Sequence, residues 1–242
     1  MKILALESSA LTASVAVCED GRLLGEYTQN NGNTHSENLL PMVESLLSFV
    51  GLEISDIDGF AVSAGPGSFT GVRIGVATLK GLAFGSGKPC IGVSTLEALA
   101  RNLCVPNGLI CPVMNARRKQ FYTALFRNNG TSMERLMPDS ALSYEELDEA
   151  LAAYDEPVYL VGDGYALAED LLTHSIGHTP ERLRYQSAYS VAAVALDAYK
   201  SGAYTTDQEL SPVYLRPCQA ERERAEREKK NDSANESETK GI

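Results

Sequence analysis

The chain is short of the features that would place it in several large classes. Its five cysteines, Cys18, Cys90, Cys104, Cys111 and Cys218, are odd in number and scattered, with no CxxC or CxxH pairing. That spacing argues against a disulfide framework and a zinc site, and leaves most of them as small buried apolar residues. No run approaches the roughly 20 apolar residues of a membrane span. The opening MKILALESS reaches Glu7 too early for a signal-peptide core, so the cytoplasm is the expected location. Positive charge is scarce as well: 21 Lys and Arg against 32 Asp and Glu give a formal net charge of −11. The isolated chain is therefore not expected to bind nucleic acid directly, because phosphate backbones are held by clustered cations.

What is present is a 242-residue chain, 44% apolar, long enough for one large domain or two small ones. Strand patterns over 2–9, 12–20 and 22–29 form a meander, with Asp20-Gly21 as the tight turn between the second and third. The stretch HSENLLPMVESLLSFVG reads as a helix from His35, with Thr34 and Glu37 as a capping box and Gly51 closing its end. Leu39, Met42, Val43, Leu46, Leu47 and Val50 cover one face of it, and Leu40 and Phe49 add a second apolar edge. A fourth strand over 58–66, a helix over about 70–84, the strand PCIGVST and the helix STLEALARNL follow. This is the order of one actin-like or ribonuclease-H-like half domain.

A looser second block holds a hairpin over 109–116 and 120–128 and the helix YEELDEALAAY. The strand PVYLVGDGY, the helix YALAEDLLTH and a last helix around VAAVALDAY complete it. The expected fold class is α/β, two actin-like (ribonuclease-H-like, ASKHA) subdomains over 1–103 and 104–216, each a mixed sheet with helices. Residues 217–242 read as a charged, disordered tail with no catalytic role.

The stretch GPGSFTGVRIG, Gly65 to Gly75, holds four glycines and a proline in eleven residues. Each glycine costs conformational entropy, so the segment needs backbone freedom or close approach. On a helix, Val72, Val76, Leu79 and Ala83 form a stripe toward a sheet, while Gly71, Gly75, Thr78, Leu82 and Gly85 form a nearly bare face. Three readings compete: close packing or partner contact, which the bare face favours; phosphate binding at a helix N-terminus; and a plain tight turn. The segment matches neither GxxxxGK[ST] nor GxGxxG in full.

ILALESS at the start, HSENLLPMVESLL from His35, GPGSFTGVRIGVATLKGLA from Gly65 and VSTLEALA from Val93 together resemble the TsaB (YeaZ) family of bacterial proteins. These are actin-like relatives of the threonylcarbamoyl-transferase TsaD. The resemblance is dense over about the first 105 residues, and beyond them rests on VYLVGDGY and the helix order. It implies an inactive paralogue that binds TsaD directly and supports the threonylcarbamoyladenosine (t6A) modification of tRNAs reading codons that begin with adenine. It further implies contact with TsaE through the TsaB–TsaD complex, a homodimer, and no cofactor of its own, with ATP or ADP and a metal held by TsaD. The partner contacts are expected on the helices starting at Thr34 and Thr70: His35, Leu39, Met42, Leu46, Gly71, Arg73, Gly75, Thr78 and Leu82.

Catalytic relatives hold a metal through an HxxxH pair on the helix after the meander; the matching positions here are His35 and Leu39. Two imidazoles therefore cannot converge there. His174 and His178 do form a literal HxxxH, but Gly177 and Pro180 end helical geometry, and the pair reads as a surface coincidence. No Ser, His and Asp set for peptide cleavage is recognisable. Glu7 stands where the actin-like enzymes place an aspartate, with no glycine before Thr12, and Gly162-Asp163-Gly164 resembles a second phosphate loop or a plain turn. Glu7, Gly65, Gly67 and Ser68 are the candidate nucleotide contacts, with no metal site. The alternatives kept open are a free-standing actin-like ATPase or metallohydrolase, and a self-associating scaffold.

Overall fold

Asp20 and Gly21 both adopt positive φ, 51° and 84°, the pairing a two-residue hairpin turn requires, and they join two strands of an antiparallel meander. In this computed structural model, which describes residues 1–32, 34–130 and 132–216, the meander comprises β1 (Lys2–Glu7), β2 (Ala13–Glu19) and β3 (Arg22–Gln29). β1 and β2 pair from Lys2↔Glu19 to Glu7↔Ser14. After α1 (His35–Val50), β4 (Gly59–Gly65) lies parallel to β1, and after α2 (Phe69–Ala83), β5 (Cys90–Ser94) lies parallel to β4. The strand order is β3-β2-β1-β4-β5, and α3 (Thr95–Ala100) leads out of the sheet.

The second sheet repeats the plan. β6 (Leu109–Asn115), β7 (Gln120–Asn128) and β8 (Met133–Ser143) form a meander. After α4 (Tyr144–Leu151) comes β9 (Val158–Val161), and after α5 (Tyr165–Leu171) the short β10 (Ile176–Gly177). Read from β8, the order β8-β7-β6-β9-β10 matches that of the first sheet, with the same parallel and antiparallel pairings. The fold is thus two actin-like α/β units, each with a five-stranded mixed sheet.

Side-chain alternation sends the two faces of the first sheet to different helices. Leu4, Leu6, Val15 and Val17 pack with Leu39, Val43 and Leu46 of α1 and Val72, Val76 and Leu79 of α2. Ile3, Ala5, Ala16 and Cys18 pack with α6 (Ala188–Lys200) on the other face. Covered on both sides, these strands read as continuous apolar runs. Burying a side chain such as Val191 of α6 stabilises by roughly 1.5–3 kcal/mol. The sequence places α6 in the second block, but the chain returns it to the first sheet, where Ser187 Oγ and the Tyr189 N–H donate to Glu26 Oε1 at 2.7 and 3.1 Å. The following segment stays there. Thr205 bridges to Cys90, and Lys80 Nζ donates to the carbonyls of Gln208 and Leu210.

The two units meet through α3 and the turn after it: Leu96 and Leu99 of α3 and Leu103 just beyond it pack with Ile110, Met114, Ala124, Phe126 and Val161. Arg135 bridges to Glu97 at 2.6 Å and to Asp139, which also accepts the Ser94 hydroxyl at 2.5 Å.

Three local expectations need correction. Thr34 is the N-cap of α1, but its side chain caps nothing; Glu37 N–H donates instead to the Thr34 carbonyl at 3.1 Å. β8 lies where no strand was expected. The chain after α5 turns into β10, so His174 and His178 flank a strand rather than sit on a helix, and His174 Nε2 pairs with the Glu156 carbonyl at 3.0 Å. The charged tail of 217–242 lies outside the described residues. Among the described residues no helix is long and apolar enough to cross a membrane.

Candidate functional site

β1 and β4 run parallel, so their C-terminal ends deliver Glu7 and Gly65 to the same edge of the sheet, where open α/β folds place ligands. Glu7 is fully buried there. Its Oε1 accepts the Ser9 N–H at 2.6 Å and its Oε2 accepts the Ser63 hydroxyl. Loss of water raises the Glu7 carboxyl above its ordinary value, against the opposing pull of the Ser63 and Ser9 hydrogen bonds. The carboxylate is thus spent on its own chain, with no open side from which to reach a nucleotide or a metal-bound water.

The glycines of 65–75 explain themselves one contact at a time. A Cβ on Gly67 would strike the Ser9 carbonyl, and one on Gly71 the Ser8 carbonyl. At Gly75 it would strike Ser8 Oγ and press on Val62. Ser8 Oγ donates to the Gly71 carbonyl at 2.9 Å, and Ser68 N–H donates to the Ser9 carbonyl at 2.7 Å. At φ 124°, Gly65 adopts a backbone that L side chains rarely take, and it lies against the Val213 carbonyl, with Val213 N–H on the Ala64 carbonyl at 2.7 Å. The stretch is a joint that seats the start of α2 on the loop after β1. Gly71 and Gly75 are accordingly not partner contacts, because both are buried against Ser8 of their own chain. Of the candidate nucleotide contacts, Glu7 and Gly65 are closed off, and only Gly67 and Ser68 reach solvent.

The other candidates sort by exposure. Leu39 and Leu46 point into the core, 1% and 0% exposed, and are corrected from partner contacts to packing residues. His35 Nε2 pairs with the Ala10 carbonyl at 2.6 Å, tying the start of α1 to the β1–β2 loop. With Leu39 buried one turn on, the residues do not fit the metal of catalytic actin-like relatives, and no group of three His, Cys, Asp or Glu side chains among the described residues could hold a metal. Gly162, at φ 113°, sits against the Val113 carbonyl that also accepts Gly164 N–H at 3.0 Å, so the GDG triplet is a turn from β9 into α5 that packs on β6.

Met42, Thr78 and Leu82 are half-buried, and Arg73 is exposed, its guanidinium 3.9 Å from the Phe69 ring centre and its Nε donating to Tyr214 Oη at 2.7 Å. Around them lie apolar residues that no core claims. Phe49 and Phe84 are each 80% exposed and Leu40 is 43% exposed. Between α1 and α2 runs a groove of about 720 Å³ lined by Leu40, Glu44, Leu47, Ser48, Gly81 and Leu82. The second apolar edge of α1, Leu40 and Phe49, was visible in the sequence; Phe84, one residue past α2, gave no such signal.

The family described as "TsaD: tRNA N6-adenosine threonylcarbamoyltransferase" matches residues 23–223. The tRNA threonylcarbamoyladenosine biosynthesis protein TsaB of Bacillus subtilis (strain 168) is 35% identical over 177 residues, 73% of this chain and 77% of that protein. Its namesake in Escherichia coli (strain K12) is 30% identical over 220 residues, 89% and 95%. A crystal structure from Pseudomonas aeruginosa, described as an uncharacterized protein with similarity to peptidase YEAZ, superposes with a TM-score of 0.78 at 27% identity. It covers 89% of this chain and 99% of that one.

Proposed function

Because the chain belongs to the TsaB family, within the wider TsaD group, we propose that it is the non-catalytic partner that binds TsaD and supports t6A formation. Its role in tRNA threonylcarbamoyladenosine biosynthesis follows the family; the division of labour is argued from the site. The observation that carries it is the closed end of the first sheet. Glu7 is dehydrated and held by Ser9 and Ser63, and Val213 lies over Gly65, so the edge that would serve a nucleotide is occupied by the protein itself.

Away from this closed edge, toward the C-terminal ends of α1 and α2, Leu40 and Leu82 line a groove between the two helices, and Phe49 and Phe84 stand exposed on the same two elements, apolar surface of the kind that marks protein interfaces. TsaD occupies this face in the proposed complex, with His35, Arg73 and Thr78 at its margin, and a homodimer uses the same face in the cytoplasm when TsaD is absent. ATP or ADP and the metal then belong to TsaD, and TsaE joins through the TsaB–TsaD pair. The test is co-expression of the full chain with TsaD from the same organism, followed by size-exclusion chromatography and measurement of t6A in bulk tRNA with and without the chain. Co-elution and a chain-dependent t6A level are expected. Separate elution, or ATP turnover by the chain alone that vanishes in Glu7→Ala, overturns the proposal.

A further inference from the structure

The turn between β6 and β7 carries Arg117, Arg118 and Lys119 in succession, all exposed and all in the left-handed region at φ 59°, 54° and 59°. Residues with a Cβ normally visit that region singly, so a run of three persists only where the surrounding structure holds it. Here it is held. Asn115 Oδ1 accepts the Arg117 N–H at 2.8 Å, Ala116 N–H donates to the Gln120 carbonyl at 3.0 Å, and Gln120 N–H to the Arg117 carbonyl at 3.2 Å. Arg216 adds a fourth cation, its Nη1 donating to the Ala116 carbonyl at 3.4 Å.

None of these four cations lies within ion-pair distance of a carboxylate among the described residues, a state they share with Arg73, Lys80, Lys88, Arg182, Arg184 and Lys200; what sets them apart is that they stand together at one turn. The turn also stands at the C-terminal end of β6, beside that of β9, on the ligand-bearing edge of an α/β sheet.

We propose that the Arg117–Arg118–Lys119 turn, with Arg216, is a phosphate-contact site for an RNA backbone, engaged when the chain is in complex with TsaD. This rests on the function proposed above. An acidic protein surface is the less suitable occupant, because protein interfaces are anchored by buried aromatic or aliphatic side chains and the tip of this turn carries none. Phosphate contacts need charge alone, and they set the position of the RNA without reading its sequence. The net charge of −11 opposes RNA binding by the isolated chain, so the turn acts only where a partner supplies further cations.

The test uses the complex of full chain and TsaD and titrates tRNA across about 50–200 mM salt, with parent chain and with the triple variant Arg117→Gln, Arg118→Gln, Lys119→Gln. Each phosphate contact contributes roughly 0.7–0.9 to the slope of log affinity against log salt, so the variant is expected to be shallower by about 2 to 3 and on the order of 100-fold weaker near 100 mM. The charge-preserving pair Arg117→Lys, Arg118→Lys should keep the parent slope. TsaD association, measured on the same variants, should not change. An unchanged slope in the triple variant overturns the proposal, as does loss of TsaD binding without a change of slope, which would make the turn a protein contact. Failure of the parent chain to bind TsaD overturns the earlier reading instead, and is seen before any variant is made.

Discussion

Ser63 and Glu7, 56 residues apart in the chain, meet inside the protein, where the Ser63 hydroxyl donates to a carboxyl group cut off from water. β4 running parallel to β1 brings them together. The pairing holds the Glu7 carboxyl in the core, without contact with solvent.

Its pH signature follows from linkage. The unfolded Glu7 titrates near the ordinary 4.5, and the folded group above it, so in between the native state binds the extra proton. Stability is therefore greatest below the unfolded value, falls as pH rises through the folded value, and is flat beyond. Glu7→Gln, neutral at every pH, should flatten that part of the thermal-stability profile and melt higher than the parent near neutral pH. A variant that keeps the parent's slope would show that Glu7 is not the titrating group.

Gly75→Leu should destabilise the chain while leaving partner binding untouched. Its side chain would collide with Ser8 and Val62, and overpacking of this kind costs about 1–3 kcal/mol. For a chain of this size that is a fall in Tm of roughly 2–12 °C. Unchanged Tm with weakened association would return Gly75 to the partner surface.

Phe49→Glu and Phe84→Glu should behave in the opposite way. Both rings are mostly in solvent, so folding stability should move by no more than about 0.5 kcal/mol. If they anchor the partner face, association measured by calorimetry should weaken by roughly 30-fold or more, equivalent to about 2 kcal/mol. Full-strength binding in both variants would remove these two rings from the contact.

Thiol labelling should single out Cys104 among the described cysteines. It is exposed, whereas burial pushes Cys18 and Cys111 up to about 12 and Cys90 up to about 11. Iodoacetamide at about pH 8 followed by peptide mapping should modify Cys104 rapidly and leave the other three intact until the protein unfolds. Early modification of Cys111 would mean that the second sheet opens in the native state.

The first half of the fold was legible because its signals are local. Asp20-Gly21 marks a turn, Gly51 ends α1 at φ 70°, and period-2 and helical patterns follow one another cleanly. β8 was not legible. It runs through Glu134, Arg135, Pro138 and Asp139 on the edge of its sheet, where a proline is tolerated and alternation breaks down. The glycine face of α2 was seen correctly as a place of close approach. Helical spacing, however, does not say what approaches, and the answer, Ser8, lies 63 residues earlier. Leu39 and Leu46 failed as surface residues for a similar reason: α1 is apolar over so much of its girth that the pattern does not separate the stripe it buries from the edge it shows.

The return of α6 to the first sheet also dictates a timetable at the ribosome. Ile3, Ala5 and Ala16 are made almost at once, yet the helix that covers them is translated only at residues 188–200, after the whole second sheet. Until then a nascent chain carries one bare sheet face, the kind of surface that chaperones and premature self-association compete for. A message truncated before residue 188 would yield that exposed face permanently, so proteolytic quality control has a ready mark for incomplete copies.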